Sequence, residues 1–167
     1  RDSSTSRGLG DVYKRQANTL VGMLGNGDNA AGQEAVNIYC KNNGYTDTSM
    51  GRMLLEKASA NENYTSARDC SVFLKNIYEN KLEHSEDMLN LLKQQTRTEK
   101  IPKGIPSGVE TANKTGELDH VENDAAIVFD GENPYIICVM ADNLSDTTEA
   151  RQRIVDISSV VYENISK

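Results

Sequence analysis

A change of period at Gly108 constrains this chain more than any other feature. Ahead of it, apolar residues recur at helical spacing. Behind it they come in two unbroken runs, Ala125–Phe129 and Tyr135–Met140, separated by the turn residues Asp130-Gly131-Glu132-Asn133-Pro134. Runs of that length, bounded by Gly, Pro, Asn and Asp, predict two strands of an antiparallel hairpin. Their apolar residues point to both faces, so the hairpin is expected to be covered on both sides, as a helix layer would do. Val109–Lys114 offers a third strand. Asp146-Thr147-Thr148-Glu149 is a capping box that opens a helix with Ile154, Ile157 and Val161 on its buried stripe. Several helices, two or three antiparallel strands and one closing helix give an α+β fold, with helices on a sheet and no βαβ repeat.

The helical part reads as a series of short elements. Leu20, Val21 and Leu24 share a face, and Gly25-Asn26-Gly27-Asp28 ends that helix. Asp28 or Asn29 caps a second, with Val36, Tyr39 and Cys40 inside and Gly44 as a left-handed stop. Thr46–Asn63 is irregular. Thr65 or Ser66 caps a helix whose Cys70, Phe73, Leu74 and Ile77 follow the spacing of a buried face. Ser85-Glu86-Asp87 opens another, with Met88, Leu91 and Leu92 turned inward. Thr96–Gly108 holds two of the three prolines and reads as a connecting loop, with Arg97, Lys100 and Lys103 expected as solvated basic residues, the alternative being that they lend positive charge to a carboxylate pocket.

Arg1–Gln16 stands apart. It has no helical or strand period and no apolar core of a secretory signal, and its GLGDVYKRQ resembles a translated adapter or vector junction. Four basic residues against two acidic ones give it +2, which leaves −9 for residues 17–167. The expectation is that residues 1–16 are non-native, that 17–104 form the helical part of one domain and that 105–167 form its strands and closing helix.

Composition narrows the function classes. The net charge of −7 argues against a nucleic-acid or anionic-membrane surface. Neither apolar run approaches the ~20 residues of a membrane span. Three cysteines at wide spacing (Cys40, Cys70, Cys138) make neither a disulfide framework nor a zinc site. Cys70 and Cys138 fall on apolar faces and read as core thiols. With two histidines, His84 and His120, no metal cluster is expected. His120 falls near the mouth of any cleft but carries no assigned role.

Asn113-Lys114-Thr115-Gly116-Glu117 is the motif that carries chemistry. An ammonium at the end of an edge strand attracts a substrate carboxylate and holds a neighbouring hydroxyl in a fixed field. The Thr115 hydroxyl is expected at the wall of the same cleft, and Gly116 lets an acyl group approach the backbone. The segments IPKGIPSGVETANKTGELDHVENDAAIVF, GENPYIICVMADN and ENYTSARDC resemble class A β-lactamase-like serine hydrolases of the serine β-lactamase and penicillin-binding-protein superfamily. That superfamily combines Ser-x-x-Lys, Ser-Asp-Asn and Lys-Thr-Gly. The resemblance covers residues 17–167 and implies a β-lactamase/transpeptidase-like fold with its N-terminal part missing. Lys114 and Thr115 are then catalytic, and Thr115, Gly116 and Glu117 bind substrate. The N–H of Glu117 becomes an oxyanion-hole donor worth about 3 kcal/mol in the transition state.

The resemblance also says what is lacking. No lysine of the chain has a serine three residues before it, so the nucleophile is expected upstream of Ala17. The deacylating glutamate of an Arg-x-Glu-x-x-x-Asn-like loop meets Leu54 if Arg52 is the arginine. Glu56 and Glu62 stand nearby at other spacings, Glu56 being the candidate base. The chain is therefore expected to be an inactive fragment of an enzyme that hydrolyses β-lactam amides through a serine acyl-enzyme. The alternatives are a D-alanyl-D-alanine peptidase or a non-catalytic binding module of the same fold. The resemblance implies a small-molecule β-lactam or peptidoglycan peptide as partner, no nucleic acid, no metal or organic cofactor, a monomer when intact, and an extracytoplasmic location.

Overall fold

A computed structural model describes residues 3–57 and 61–166. The chain divides into two compact units, Arg1–Asp69 and Cys70–Lys167.

In the first unit, α1 (Ser3–Leu24) and α2 (Asn29–Asn42) pack on each other and are joined by a tight turn. Asp28 caps α2, its carboxylate accepting the amides of Ala30 and Ala31. Gly32 packs on Val21: a Cβ there would lie 2.0 Å from the Val21 carbonyl oxygen. That close crossing decides which face is inside. Val21 and Cys40 are buried, whereas Leu20, Leu24 and Tyr39 stand exposed, against the stripes expected from spacing alone. α1 also runs back through the stretch expected to lack helical structure, although Arg1 and Asp2 lie outside the described residues. Proline is absent from it, and extending an existing helix adds a hydrogen bond for each residue fixed. Val12 and Tyr13 remain exposed.

Asparagines organise the irregular segment that follows α2, of which residues 58–60 lie outside the described residues. Gly44 adopts φ +81° at the end of α2. Asn37 bonds both the N–H and the C=O of Met50. Asn63 takes the amides of Gly51 and Arg52, beside a single bridge between Ser49 and Tyr64. Buried Asp69 accepts from the Asp47 amide and the Thr48 hydroxyl, each at 2.8 Å.

α3 (Ala67–Tyr78) starts with Ser66 accepting the Asp69 amide and continues into the second unit. There it is followed by α4 (Ser85–Lys93), a 3-10 turn over Ile101–Gly104, β1 (Glu110–Leu118), β2 (Val121–Phe129), β3 (Tyr135–Ala141) and α5 (Thr147–Ile165). The strands form one antiparallel sheet in the order β1-β2-β3. Both sheet faces are covered, as the apolar runs required. On one face Ala126, Val128 and Ile137 pack with Ile101, Ile105 and Ile154. On the other, Ala112, Ala125 and Ile127 pack with Leu74, Leu89 and Leu92.

Three expectations are corrected in this unit. Thr96–Gly108 is no mere connection, because Ile101 and Ile105 enter the core. In α4, Leu89 and Leu92 turn inward and Leu91 outward. In α5, Ile157 is exposed and Ser158 takes the buried place, donating its hydroxyl to the Ile101 carbonyl at 2.9 Å. Ser159 does the same for Gly104 at 3.0 Å. A small hydroxyl residue on α5 is needed because the 3-10 turn presents backbone carbonyls there, and buried carbonyls require donors. Asp146 caps α5 by accepting the amides of Thr148 and Glu149. The Glu149 carboxylate pairs with Arg153 instead of closing the box.

Candidate functional site

The Lys-Thr-Gly motif lies on β1, an edge strand, just before a two-residue turn made by Asp119 and His120. His120 takes φ 65° there. Its ring Nδ1 lies 2.7 Å from the Leu144 carbonyl oxygen, so the imidazole ties two loops together. Leu118 faces Val121 across the turn, and Gly116 faces Asn123. The pair that closes such a turn exchanges hydrogen bonds, and bonded pairs alternate with pairs whose N–H and C=O face away. Gly116 is therefore bonded to β2, while the backbone N–H and C=O of Thr115 and Glu117 face the edge that β2 does not cover.

Side chains alternate as well. Lys114 sits opposite Ala125, on the face that carries Ala112 and Ile127. Its ammonium donates to the Thr115 carbonyl at 2.5 Å. Desolvation lowers its pKa, and the nearby Arg97 charge lowers it further. Thr115 and Glu117 point to the other face, and Thr115 is buried there. Lys114 and Thr115 thus leave β1 on opposite faces, as the two-residue period of a strand requires. A Cβ at Gly116 would meet only the Asn123 side chain, at 3.4 Å, so packing within the chain does not demand glycine there.

Beneath the motif lies a charge network that the sequence reading did not identify. Lys100, expected to be solvated, is 1% exposed, as is Glu122, and their charged atoms are 2.7 Å apart. The Glu122 oxygen involved receives no well-angled hydrogen bond, so the ammonium serves it as a charge. The same ammonium donates to the Asn123 carbonyl at 2.9 Å and the Gly116 carbonyl at 3.4 Å, and lies 3.3 Å from the Glu117 carboxylate. Arg97 pairs with Glu117 at 2.8 Å, and Arg151 with Glu122 at 2.7 Å. Burial alone would push the Glu117 carboxyl up. The charges of Lys100, Arg97 and Arg151 outweigh it and hold the group below its ordinary range. Asp124, buried beside them, has its pKa raised by desolvation although Asn113 and the Ile101 amide donate to it.

A sequence signal for this network existed. Glu122 and Asp124 occupy alternate positions of a strand that turns wholly apolar from Ala125. Acids on a buried face require basic partners, and the segment before β1 offers Arg97, Lys100 and Lys103. Lys103, by contrast, is exposed as expected.

Glu56 lies in the first unit, Lys114 in the second. One Glu56 carboxylate oxygen accepts the Met53 amide at 3.1 Å and its carbonyl accepts from Arg52 at 2.9 Å, both within a local turn. Arg52 also pairs with Glu62 at 2.8 Å. Leu54 is fixed by Asn18, which bonds its N–H at 2.9 Å and its C=O at 2.7 Å. Asn18, Thr19, Met53, Leu54 and Glu56 line an open pocket of about 490 Å³. Among the described residues, no group of three or more His, Cys, Asp or Glu is placed to hold a metal ion, and no helix is long and apolar enough to cross a membrane.

The edge strand that bears Lys-Thr-Gly thus has helices packed on both faces of its sheet. The chain belongs to the β-lactamase enzyme family, whose model matches residues 17–165. Solved structures agree on the fold. A β-lactamase from Sphaerobacter thermophilus is 24% identical, with a TM-score of 0.74 over 81% of this chain and 54% of that one. A mutant of PBP-A, solved as an acyl-enzyme complex with penicillin G, is 23% identical with a TM-score of 0.69, over 77% and 50% of the two chains. The class A β-lactamase of the last common ancestor of Gram-negative bacteria gives 17% and 0.68, over 79% and 55%. The chain thus spans about half the length of the structures it matches, a partial α+β fold. No curated protein sequence matches it.

Proposed function

We propose that this chain supplies the strand-bearing half of a serine hydrolase that opens β-lactam amides through an acyl-enzyme. Lys114 carries the reading. Among the described residues around the motif, Arg97, Lys100 and Arg151 are each paired with a carboxylate, and Lys114 is not. Its ammonium is left to attract the carboxylate of a ligand, next to an edge where the Glu117 N–H has no β2 partner.

In the reaction a serine hydroxyl gives up its proton and its oxygen adds to the amide carbonyl. The oxyanion that develops takes the Glu117 N–H as a donor. The C–N bond then breaks, the nitrogen accepts a proton, and water later cleaves the ester. The serine belongs to a part of the parent protein outside this sequence, as does its Ser-x-x-Lys lysine. Thr115 contributes its carbonyl, which fixes the Lys114 ammonium. Gly116 leaves the approach to the strand open. The parent acts outside the cytoplasmic membrane.

Leu54 favours a second reading for the release step. With Arg52 taken as the arginine of the family's loop, the resemblance puts the water-activating glutamate at that position, and a leucine cannot take a proton from water. One oxygen of the Glu56 carboxylate accepts the Met53 amide. A penicillin-binding protein that acylates and releases slowly, with D-alanyl-D-alanine peptides as substrate, fits these residues.

A fluorescent penicillin tests the proposal. The purified 167-residue chain takes up no covalent label, while the product of a continuous upstream reading frame encoding Ser-x-x-Lys takes it up stoichiometrically. Labelling of the short chain, or none of the long one, overturns the proposal. The rate at which label is then lost separates fast hydrolysis from slow release.

A further inference from the structure

We propose that Lys100 is a positioning residue for the motif: from the face opposite Lys114 it clamps the Gly116–Asn123 backbone pair and holds the Glu117 carboxylate on that face. The inference rests on the reading of Lys114–Glu117 as acyl-transfer machinery, and its test reads geometry, so the two fail separately.

Four oxygens surround the Lys100 ammonium, two from backbone and two from carboxylates. The carbonyls of Asn123 (2.9 Å) and Gly116 (3.4 Å) belong to directly opposed residues of β2 and β1. A single cation on both carbonyls fixes the last bonded pair before Glu117, the residue whose N–H faces the uncovered edge. Register and twist of a strand end are otherwise set only by its ladder, which frays at hairpins and edges. The site gains a fixed donor that needs no reorganisation when an oxyanion develops.

The carboxylates set the second effect. Glu117 directly follows the glycine of the motif, where a negative charge is unwelcome beside a ligand anion. Its carboxylate lies instead 3.3 Å from Lys100 and 2.8 Å from Arg97. Lys100 is itself neutralised by Glu122, whose other oxygen meets Arg151 at 2.7 Å. Three cations and the carboxylates of Glu117, Glu122 and neighbouring Asp124 balance, so the network presents no net charge to the ligand side. Ile101, next to Lys100, is held by Asp124 at 3.0 Å and by Ser158 at 2.9 Å. The ammonium is thereby aimed by the core rather than by a flexible loop.

Two measurements on the full chain decide it. In the unmodified protein, NMR of the lysine ammonium groups is expected to show Lys100 in slow exchange with hydrogen-bond couplings to the Asn123 and Gly116 carbonyls. A Lys100 ammonium that exchanges as fast as the exposed lysines overturns the proposal. In Lys100→Met/Glu122→Gln, which removes both charges of the buried pair, the Gly116 amide is expected to exchange about tenfold faster while Ala126 keeps its protection. Lys100→Arg should restore part of that protection. Unchanged Gly116 protection, or loss spread evenly over the sheet, would reduce Lys100 to a stabilising residue and sink the proposal.

Discussion

Asn18 and Leu54 hold each other twice across 36 residues, Asn18 Nδ2 on the Leu54 carbonyl at 2.7 Å and the Leu54 amide on Asn18 Oδ1 at 2.9 Å. The side-chain amide thus acts as a missing strand for one residue of an otherwise irregular segment. The clamp fixes Leu54 regardless of its own side chain, so the loop's conformation does not depend on a carboxylate at that position. Asn18→Ala is expected to cost about 2 kcal/mol, because two bonds are lost and two backbone groups are left without partners. Urea unfolding gives the cost, and hydrogen exchange should place the change at the Leu54 amide.

Lys100→Met alone should be far more damaging than the double variant. It leaves Glu122 in the interior with only Arg151, and breaking a buried pair costs about 3–5 kcal/mol. Adding Glu122→Gln should recover most of it. Equal unfolding midpoints for the single and double variants would contradict the pairing.

Lys114 works against stability. Its folded pKa is depressed by desolvation, so the unfolded chain binds the proton more tightly. The penalty is present at neutral pH and fades as pH rises through the folded and then the unfolded pKa. Lys114→Met should therefore unfold at a urea midpoint no lower than the parent's at pH 7. In an acylation-competent parent the same change should slow penicillin labelling about 100-fold. A clear loss of stability, or unaltered labelling, would refute these assignments.

Glu117 gives the opposite sign. Its folded pKa lies below the ordinary value, so its contribution is complete above the unfolded pKa and is lost as pH falls through the folded one. Glu117→Gln should flatten the loss of stability on acidification below the ordinary carboxylate range. Asp124, with its raised pKa, runs the other way and remains in both chains, so the difference between their pH curves isolates Glu117.

Burial makes two thiols sluggish. Desolvation pushes Cys138 up to about 12 and raises Cys40 as well. Since the thiolate is the reactive form, both should lag in a thiol-reagent titration at pH 8 and react at once in denaturant. Rapid reaction of Cys138 in the native chain would show that its packing against the Leu74–Ile127 core is wrong.

Much of the fold was legible because its signals are local. Asp28 and Asp146 cap their helices, Gly44 takes the left-handed turn, and the apolar run of β2 is covered on both faces, as their sequence contexts required. The errors share a cause. Periodicity identifies a stripe but not which edge of it meets a neighbour, so Leu20, Leu91 and Ile157 were assigned inward. Those choices belong to the Val21–Gly32 crossing, to Leu89 and Leu92 against the sheet, and to Ser158 beneath the Ile101 carbonyl.

The sequence by itself determined the class of chain, the strand that bears the motif and the absence of Ser-x-x-Lys from it. Each depends on residue type and short spacing. Tertiary structure alone decided that Lys100 is buried rather than solvated. The buried ion pair exists because the β1–β2 register brings Gly116 and Asn123 together above a 3-10 turn anchored to α5. A charge leaves water only where such distant groups converge to receive it.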